Sequence, residues 1–161
     1  DRLGVDSIDL YQFHSPDPDT PFEESIQAFA ELKDEGFVEH VGVSNVSVDQ
    51  LELARDHVEV ATVQNRYNLG HRDDEDVLEA CEAYGIGFIP WYPLAAGAMD
   101  GILGDVADSH DATPYQIALA WLLDHSEVML PIPGTSSKKH LAENIAASTI
   151  ELSDEEYARL A

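Results

Sequence analysis

Cysteine is nearly absent from this chain: Cys81 stands alone among 161 residues. An intramolecular disulfide is thereby excluded, as is a zinc site built on several thiolates. Basic residues are almost as scarce, 8 Lys and Arg against 32 Asp and Glu, for a formal net charge of −24. A surface of that sign repels nucleic acid and anionic membrane, which are set aside as partners. No apolar run reaches the roughly 18–20 residues that span a bilayer, and the N-terminus lacks a basic-then-apolar signal pattern, so the expected setting is the cytoplasm. No Gly-x-Gly-x-x-Gly follows a strand-like segment and there is no Walker-type loop, which removes the two commonest phosphate-binding fingerprints. His40, His57, His71, His110, His125 and His140 show no ligand spacing, so no metal is expected and most of them read as surface residues.

What is present is a chain 44% hydrophobic, long enough to bury a core as one domain. Its carboxylates are spread over nearly every helical segment instead of forming one patch, which favours solvation over a cationic partner. Such self-repulsion is relieved when molar salt shortens the Debye length to about 3 Å, and a halophilic cytosol is the expected home. The opening Asp1-Arg2-Leu3-Gly4 has no initiator methionine and reads as the capped end of a helix, so the chain is expected to begin inside a larger fold.

The chain is organised around Ile8-Asp9-Leu10-Tyr11-Gln12-Phe13-His14, which reads as a buried strand ended by Ser15-Pro16-Asp17-Pro18. It delivers His14 to a C-terminal strand tip, where ligands bind in parallel α/β folds. A helix follows from Thr20-Pro21 to Gly36, a strand over residues 38–43, and a helix capped by Ser47 with Gln50. Further strands are expected over residues 58–64, 86–91 and 128–132, with helices over 73–84, 113–125, 138–147 and 153–160, and a short plain loop over 95–104. Five strands alternating with helices indicate a parallel α/β architecture. With the Rossmann fingerprint missing, the better closure is the (β/α)8 TIM barrel, of which this chain supplies about five strand–helix units. A complete barrel typically takes about 250 residues.

Each strand tip carries polar or aromatic groups: His14, Ser44-Asn45, Gln64, Trp91 with Pro93-Leu94, and Gly134-Thr135-Ser136. The segments Asp6 to His14, Gly42-Val43-Ser44-Asn45, Val63-Gln64-Asn65-Arg66-Tyr67-Asn68, Pro90-Trp91-Tyr92-Pro93-Leu94-Ala95, and Ile132-Pro133-Gly134-Thr135-Ser136 with Leu141-Ala142-Glu143-Asn144 resemble the aldo-keto reductase family, in order and at matching separations. The resemblance covers residues 1–161 as one partial barrel domain, from the family's fourth strand onward. It implies reduction of an aldehyde or ketone with NADP(H), or less often NAD(H).

Position by position, the resemblance makes His14 the catalytic histidine that orients and polarises the substrate carbonyl. Ser44, Asn45 and Gln64 match the groups that bind the nicotinamide carboxamide, and Trp91 the aromatic that stacks on its ring. Pro93, Leu94 and Gly97 match the loop beside the pyrophosphate. Gly134, Thr135, Ser136, His140, Glu143 and Asn144 match the segment that grips the adenosine and its 2′-phosphate. Two departures stand out: Gly134 and His140 occupy positions where the family often has lysine and arginine. Lys138 and Lys139 are the nearby cations, and both cofactors stay open. The family's aspartate, proton-donating tyrosine and lysine lie on earlier strand ends, and neither Tyr11, Tyr67 nor Tyr92 inherits the acid by motif. A positioned general acid contributes about 10²- to 10⁴-fold, so this polypeptide alone is expected to turn over little. The alternatives are a non-catalytic cofactor-binding module and a partial barrel that self-associates through its open edges.

Overall fold

The computed structural model describes residues 3–94 and 101–160. The chain divides into two compact units, the first formed by Asp1–Asn65 with Asp74–Phe88 and the second by Arg66–Asp73 with Ile89–Ala161.

The first unit is a parallel sheet of β1 (Ile8–Phe13), β2 (Val38–Ser44), β3 (Val60–Gln64) and β4 (Gly87–Phe88), joined in that order through α1 (Phe22–Asp34), α2 (Val48–His57) and α3 (Glu75–Tyr84). Parallel pairing demands such crossovers, and the valines supply the β-branched surface that the pleat favours. Val41, Val43, Val63 and Phe88 are sealed beneath Ile26, Leu51, Ala54 and Leu78 of the helices. β1, at the edge of the described sheet, is less buried than its composition suggests: Leu10 and Tyr11 are each 40% exposed. Its aromatics are held by α1, with Tyr11 stacked on Phe29 at 4.9 Å and Phe13 meeting Phe22 and Phe29 edge-on at 5.5 Å.

Local signals behave as expected. Ser47 and Gln50 form a reciprocal capping box at α2, and Gly85 closes α3 in the left-handed conformation at φ 67°. Cys81 on α3 is fully buried, and burial, aided by Glu82, pushes its thiol up to about 12. It is a core residue with no thiolate chemistry at neutral pH.

The second unit centres on α5 (Pro114–His125), opened by a Thr113–Gln116 capping box. Ile117 to Leu122 are buried on every side, as the unbroken apolar run implies. Around it lie α4 (Ile102–Ser109), α6 (Lys138–Ala146), a 3₁₀ turn (Ala147–Thr149) and α7 (Asp154–Leu160). Trp121 is the pivot: His125 stacks on it at 4.5 Å, Tyr157 at 6.0 Å and Tyr67 at 6.3 Å, and the Arg72 guanidinium lies 4.6 Å from its ring centre. His125 hydrogen-bonds the Tyr67 hydroxyl through Nε2 at 2.8 Å and the Tyr157 hydroxyl through Nδ1. This histidine, expected at the surface, is a half-buried packing element.

Three expectations are corrected. The fifth strand over 128–132 does not form; buried Met129 makes a lone β-bridge after a turn, and the chain beyond it is irregular, with Leu130 51% and Ile132 47% exposed. The fourth strand is only two residues long. Pro90, Pro131 and Pro133 lack the N–H that a ladder needs. The described residues therefore hold four parallel strands, not five. Finally, residues 102–104 of the supposed plain loop begin α4, which buries Leu103, Val106 and Ala107.

Where α4 meets α7, Glu156 accepts hydrogen bonds from the Ser153 backbone N–H (3.0 Å), the Ser153 hydroxyl (2.8 Å) and the Ser109 hydroxyl (3.0 Å), with His110 Nε2 at 3.1 Å. These donors, the Ser153 backbone first, hold its carboxyl down from 4.5 to about 2. A folded-state value below the unfolded one stabilises above pH 4.5 and loses that contribution as pH falls toward 2. Thermal midpoints followed by circular dichroism from pH 7 to pH 2 should therefore fall more steeply below pH 4.5 in the native chain than in Glu156→Gln. Parallel curves would show that the carboxylate is not differentially stabilised.

Candidate functional site

In the first unit, the tips of β1, β2 and β3 are tied into one polar knot. Asn45 follows β2 at φ 57°, a left-handed conformation that asparagine tolerates because its short amide bonds locally. Its backbone N–H donates to the Gln64 carbonyl at 3.0 Å, and its Nδ2 donates to the His14 carbonyl at 2.9 Å and to Ser44 Oγ at 3.0 Å. The buried Ser44 hydroxyl in turn donates to the Gln64 carbonyl at 2.6 Å, retaining one free lone pair. The knot fixes the backbones of His14 and Gln64 while leaving the His14 ring and the Gln64 amide with no protein hydrogen bond among the described residues. Behind it, buried Asn65 clamps Val46 from both sides, accepting from its N–H at 3.1 Å and donating to its carbonyl at 2.7 Å. Asn65 was legible only as exit-loop polarity; no local signal marks it as a clamp.

In the second unit, a cavity of about 710 Å³ brings together Pro93, Leu94, Gly134, Thr135, His140, Glu143 and Asn144. All seven were singled out from the sequence. Ser136 is exposed and outside this lining, and Gly97 lies outside the described residues. Sequence reasoning missed Thr113, Pro114 and Tyr115, at the start of α5, which also line the cavity. Tyr115 is 54% exposed there, and its only signal was a bulky aromatic just after a Thr-Pro helix start. Ile132, Pro133 and Leu94 make the cavity apolar along one side; polar groups of α6 line the other, with Lys139 paired to Glu143 at 3.4 Å and Asn144 Nδ2 reaching the Pro133 carbonyl at 3.4 Å. Trp91, half-exposed, is bridged in parallel to Arg66. The lining thus mixes apolar side chains with the hydroxyls of Thr113 and Thr135, the Asn144 amide and the ion-paired Lys139, the combination expected of a small-molecule pocket.

Metal chemistry finds no support in side-chain grouping: no cluster of three or more His, Cys, Asp or Glu occurs among the described residues. His57, His71 and His110 each pair with one carboxylate instead.

Residues 1–102 and 98–161 match the model of the Aldo/keto reductase family. The chain belongs to that family. Among curated proteins, this aldo-keto reductase chain is 49% identical over 162 residues to the uncharacterized oxidoreductase C215.11c of Schizosaccharomyces pombe, covering 99% of the chain and 53% of that protein. It is 42% identical to pyridoxine 4-dehydrogenase of Escherichia coli K12, covering 96% and 57% respectively. The chain spans about half the length of the curated relatives it matches. Among solved structures it resembles the thermostable aldo-keto reductase Tm1743 in complex with epalrestat, with a TM-score of 0.90 and 36% identity over 99% of this chain and 61% of that one. The aldo-keto reductase of Klebsiella pneumoniae in complex with NADPH gives 0.86 and 33%, over 99% and 59%. Those proteins are (β/α)8 barrels, and the four parallel strands here are part of that architecture. No helix among the described residues is long and apolar enough to cross a membrane.

Proposed function

We propose that this chain supplies the cofactor-holding part, and the carbonyl-orienting histidine, of an NAD(P)H-dependent reductase of aldehydes or ketones. The observation that carries the reading is the knot at the β1–β3 tips, which positions His14 and Gln64 and leaves both side chains available. Gln64 offers both a donor and an acceptor, the requirement for gripping a carboxamide, Ser44 adds its remaining lone pair, and Asn45 holds the two in place. Trp91 is the aromatic assigned to the nicotinamide ring. Pro93 and Leu94 run beside the pyrophosphate. In the second unit, the cavity residues with Ser136 hold the adenosine.

When bound, the reduced nicotinamide supplies a hydride for the carbonyl carbon. The part played by this chain is to orient: His14 donates a hydrogen bond to the carbonyl oxygen, which favours the charge that develops there. The proton itself comes from an acid outside the residues assigned here. The apolar cavity walls exclude water from the bound cofactor. We further read the acidic surface as adaptation to a salt-rich cytosol, and the outer edge of β1, which pairs with no strand among the described residues, as a surface for self-association.

Titrating the chain with NADPH in 2 M KCl is expected to quench tryptophan fluorescence saturably. Gln64→Ala should weaken binding about tenfold, the equivalent of one or two hydrogen bonds, and Trp91→Phe should remove most of the quenching. The thermal midpoint should rise by roughly 5–10 °C between 0.2 and 2 M KCl, a few kcal/mol for a chain of this size. Absence of saturable quenching up to millimolar NADPH sinks the cofactor reading, and a salt-independent midpoint sinks the halophilic one.

A further inference from the structure

The described cations of this chain are, with two exceptions, spoken for. Lys33, Arg55, Lys139 and Arg159 pair with Glu59, Glu52, Glu143 and Asp105, and Arg72 donates to the Leu160 carbonyl at 2.9 Å. Lys138, the first residue of α6, is exposed. The other exception is Arg66, in the exit segment after β3, which is exposed and has no carboxylate or carbonyl partner among the described residues.

Arg66 is nevertheless held in place. Its guanidinium carbon lies 5.7 Å from the Trp91 ring centre and 5.6 Å from that of Tyr92. Its backbone is bridged to Trp91, and the next residue, Tyr67, donates its N–H to the Trp91 carbonyl at 3.4 Å. Tyr92 stands at φ 60°, a conformation unfavourable for a bulky side chain, and buried Asn68 fixes it there by donating from Nδ2 to its carbonyl at 2.9 Å. Strain of this kind clusters at ligand sites. Two aromatic rings can hold a guanidinium through their faces without using its N–H groups, so its planar fork stays free for a bidentate acceptor.

We propose that Arg66 receives an anionic group, carboxylate or phosphate, carried by the carbonyl substrate. The inference rests on the assignment of Trp91 to the nicotinamide end of the cofactor: a cation 5.7 Å from the centre of that ring lies near the reacting end. It names the substrate class as aldehydes or ketones bearing a negative charge. It also supplies what such substrates lack elsewhere on this chain, since the net field repels anions. The cofactor's own phosphates are the rival source of the same chemistry.

The test is calorimetric titration of the NADP⁺-loaded protein with 4-carboxybenzaldehyde and with benzaldehyde, which differ by one carboxylate. The carboxylated aldehyde should bind about tenfold more tightly, the range of a charge-assisted hydrogen-bond pair. Arg66→Gln should bring the ratio to near one with NADP⁺ affinity unchanged, and Arg66→Lys should keep part of it. Equal binding of the two aldehydes by the native protein overturns the proposal. So does an Arg66→Gln effect on NADP⁺ affinity with the aldehyde ratio intact, which would assign the arginine to the cofactor. Failure of the native protein to take up NADP⁺ removes the cofactor reading itself, and this inference with it.

Discussion

Replacing Asn65 by alanine is expected to destabilise the first unit by about 2–5 kcal/mol, among the largest effects of any single substitution in this chain. The side chain is 2% exposed and satisfies both backbone groups of Val46, itself 2% exposed. Alanine leaves a buried N–H and a buried carbonyl with no partner and no water to replace it, and each orphan costs about 1–3 kcal/mol. Asn65→Asp is the sharper control. It keeps an acceptor for the Val46 N–H but turns a carboxylate oxygen toward the Val46 carbonyl, so it should be no better than alanine above the carboxyl's titration range. Because Val46 follows directly on Asn45, loss of the clamp should also loosen the knot and weaken NADPH binding. Urea unfolding followed by circular dichroism decides the matter. A change below about 0.5 kcal/mol for Asn65→Ala would show that the clamp contributes nothing net.

Gly42→Ala should cost about 1–3 kcal/mol, and Gly42→Val more, although glycine ordinarily weakens a strand. Gly42 sits on β2 opposite Gln12 of β1 and Thr62 of β3. Across it runs a polar bridge: Thr62 Oγ1 donates to Gln12 Oε1 at 3.0 Å, and Gln12 Nε2 donates to the Val43 carbonyl at 2.7 Å. A Cβ at position 42 would lie 2.7 Å from Gln12 Cδ and nearer still to Gln12 Oε1 and Thr62 Oγ1. The glutamine must swing away and give up both bonds. The double variant Gly42→Ala with Gln12→Ala should then be less damaging than the two single losses added together, because each destroys the same bridge. Strict additivity in unfolding free energies would mean that the glutamine is not what the methyl group displaces.

How far the sequence reveals this molecule depends on how local each cause is. The cap at Ser47 rests on residues three apart and forms the expected box, and Thr113 and Ser153 make equivalent contacts with Gln116 and Glu156. Strand tips were legible because an apolar run ends in His14, Ser44 or Gln64, and the cavity residues because Ile132 to Asn144 resemble one continuous family segment. What failed was non-local or hidden by glycine and proline. Val128 to Ile132 has strand composition but is interrupted by proline, and α4 was concealed by Gly101 at its start and Gly104 within it, although Leu103, Val106 and Ala107 carry helical spacing. The role of Asn65, the reason for Gly42, the stacking of His125 and the placement of Tyr115 all depend on partners at least 19 residues away or on another element. No period within a segment encodes them.

The solitary cysteine gives the chain a built-in reporter. Cys81 is sealed under α3 with its thiol raised to about 12, so a thiol-directed reagent meets almost no thiolate while the helix is docked. Labelling then proceeds only through molecules in which α3 has left the sheet, and its rate counts those openings. In a protein without a second thiol, that signal carries no background, and the breathing of one helix can be timed without adding any probe to the sequence.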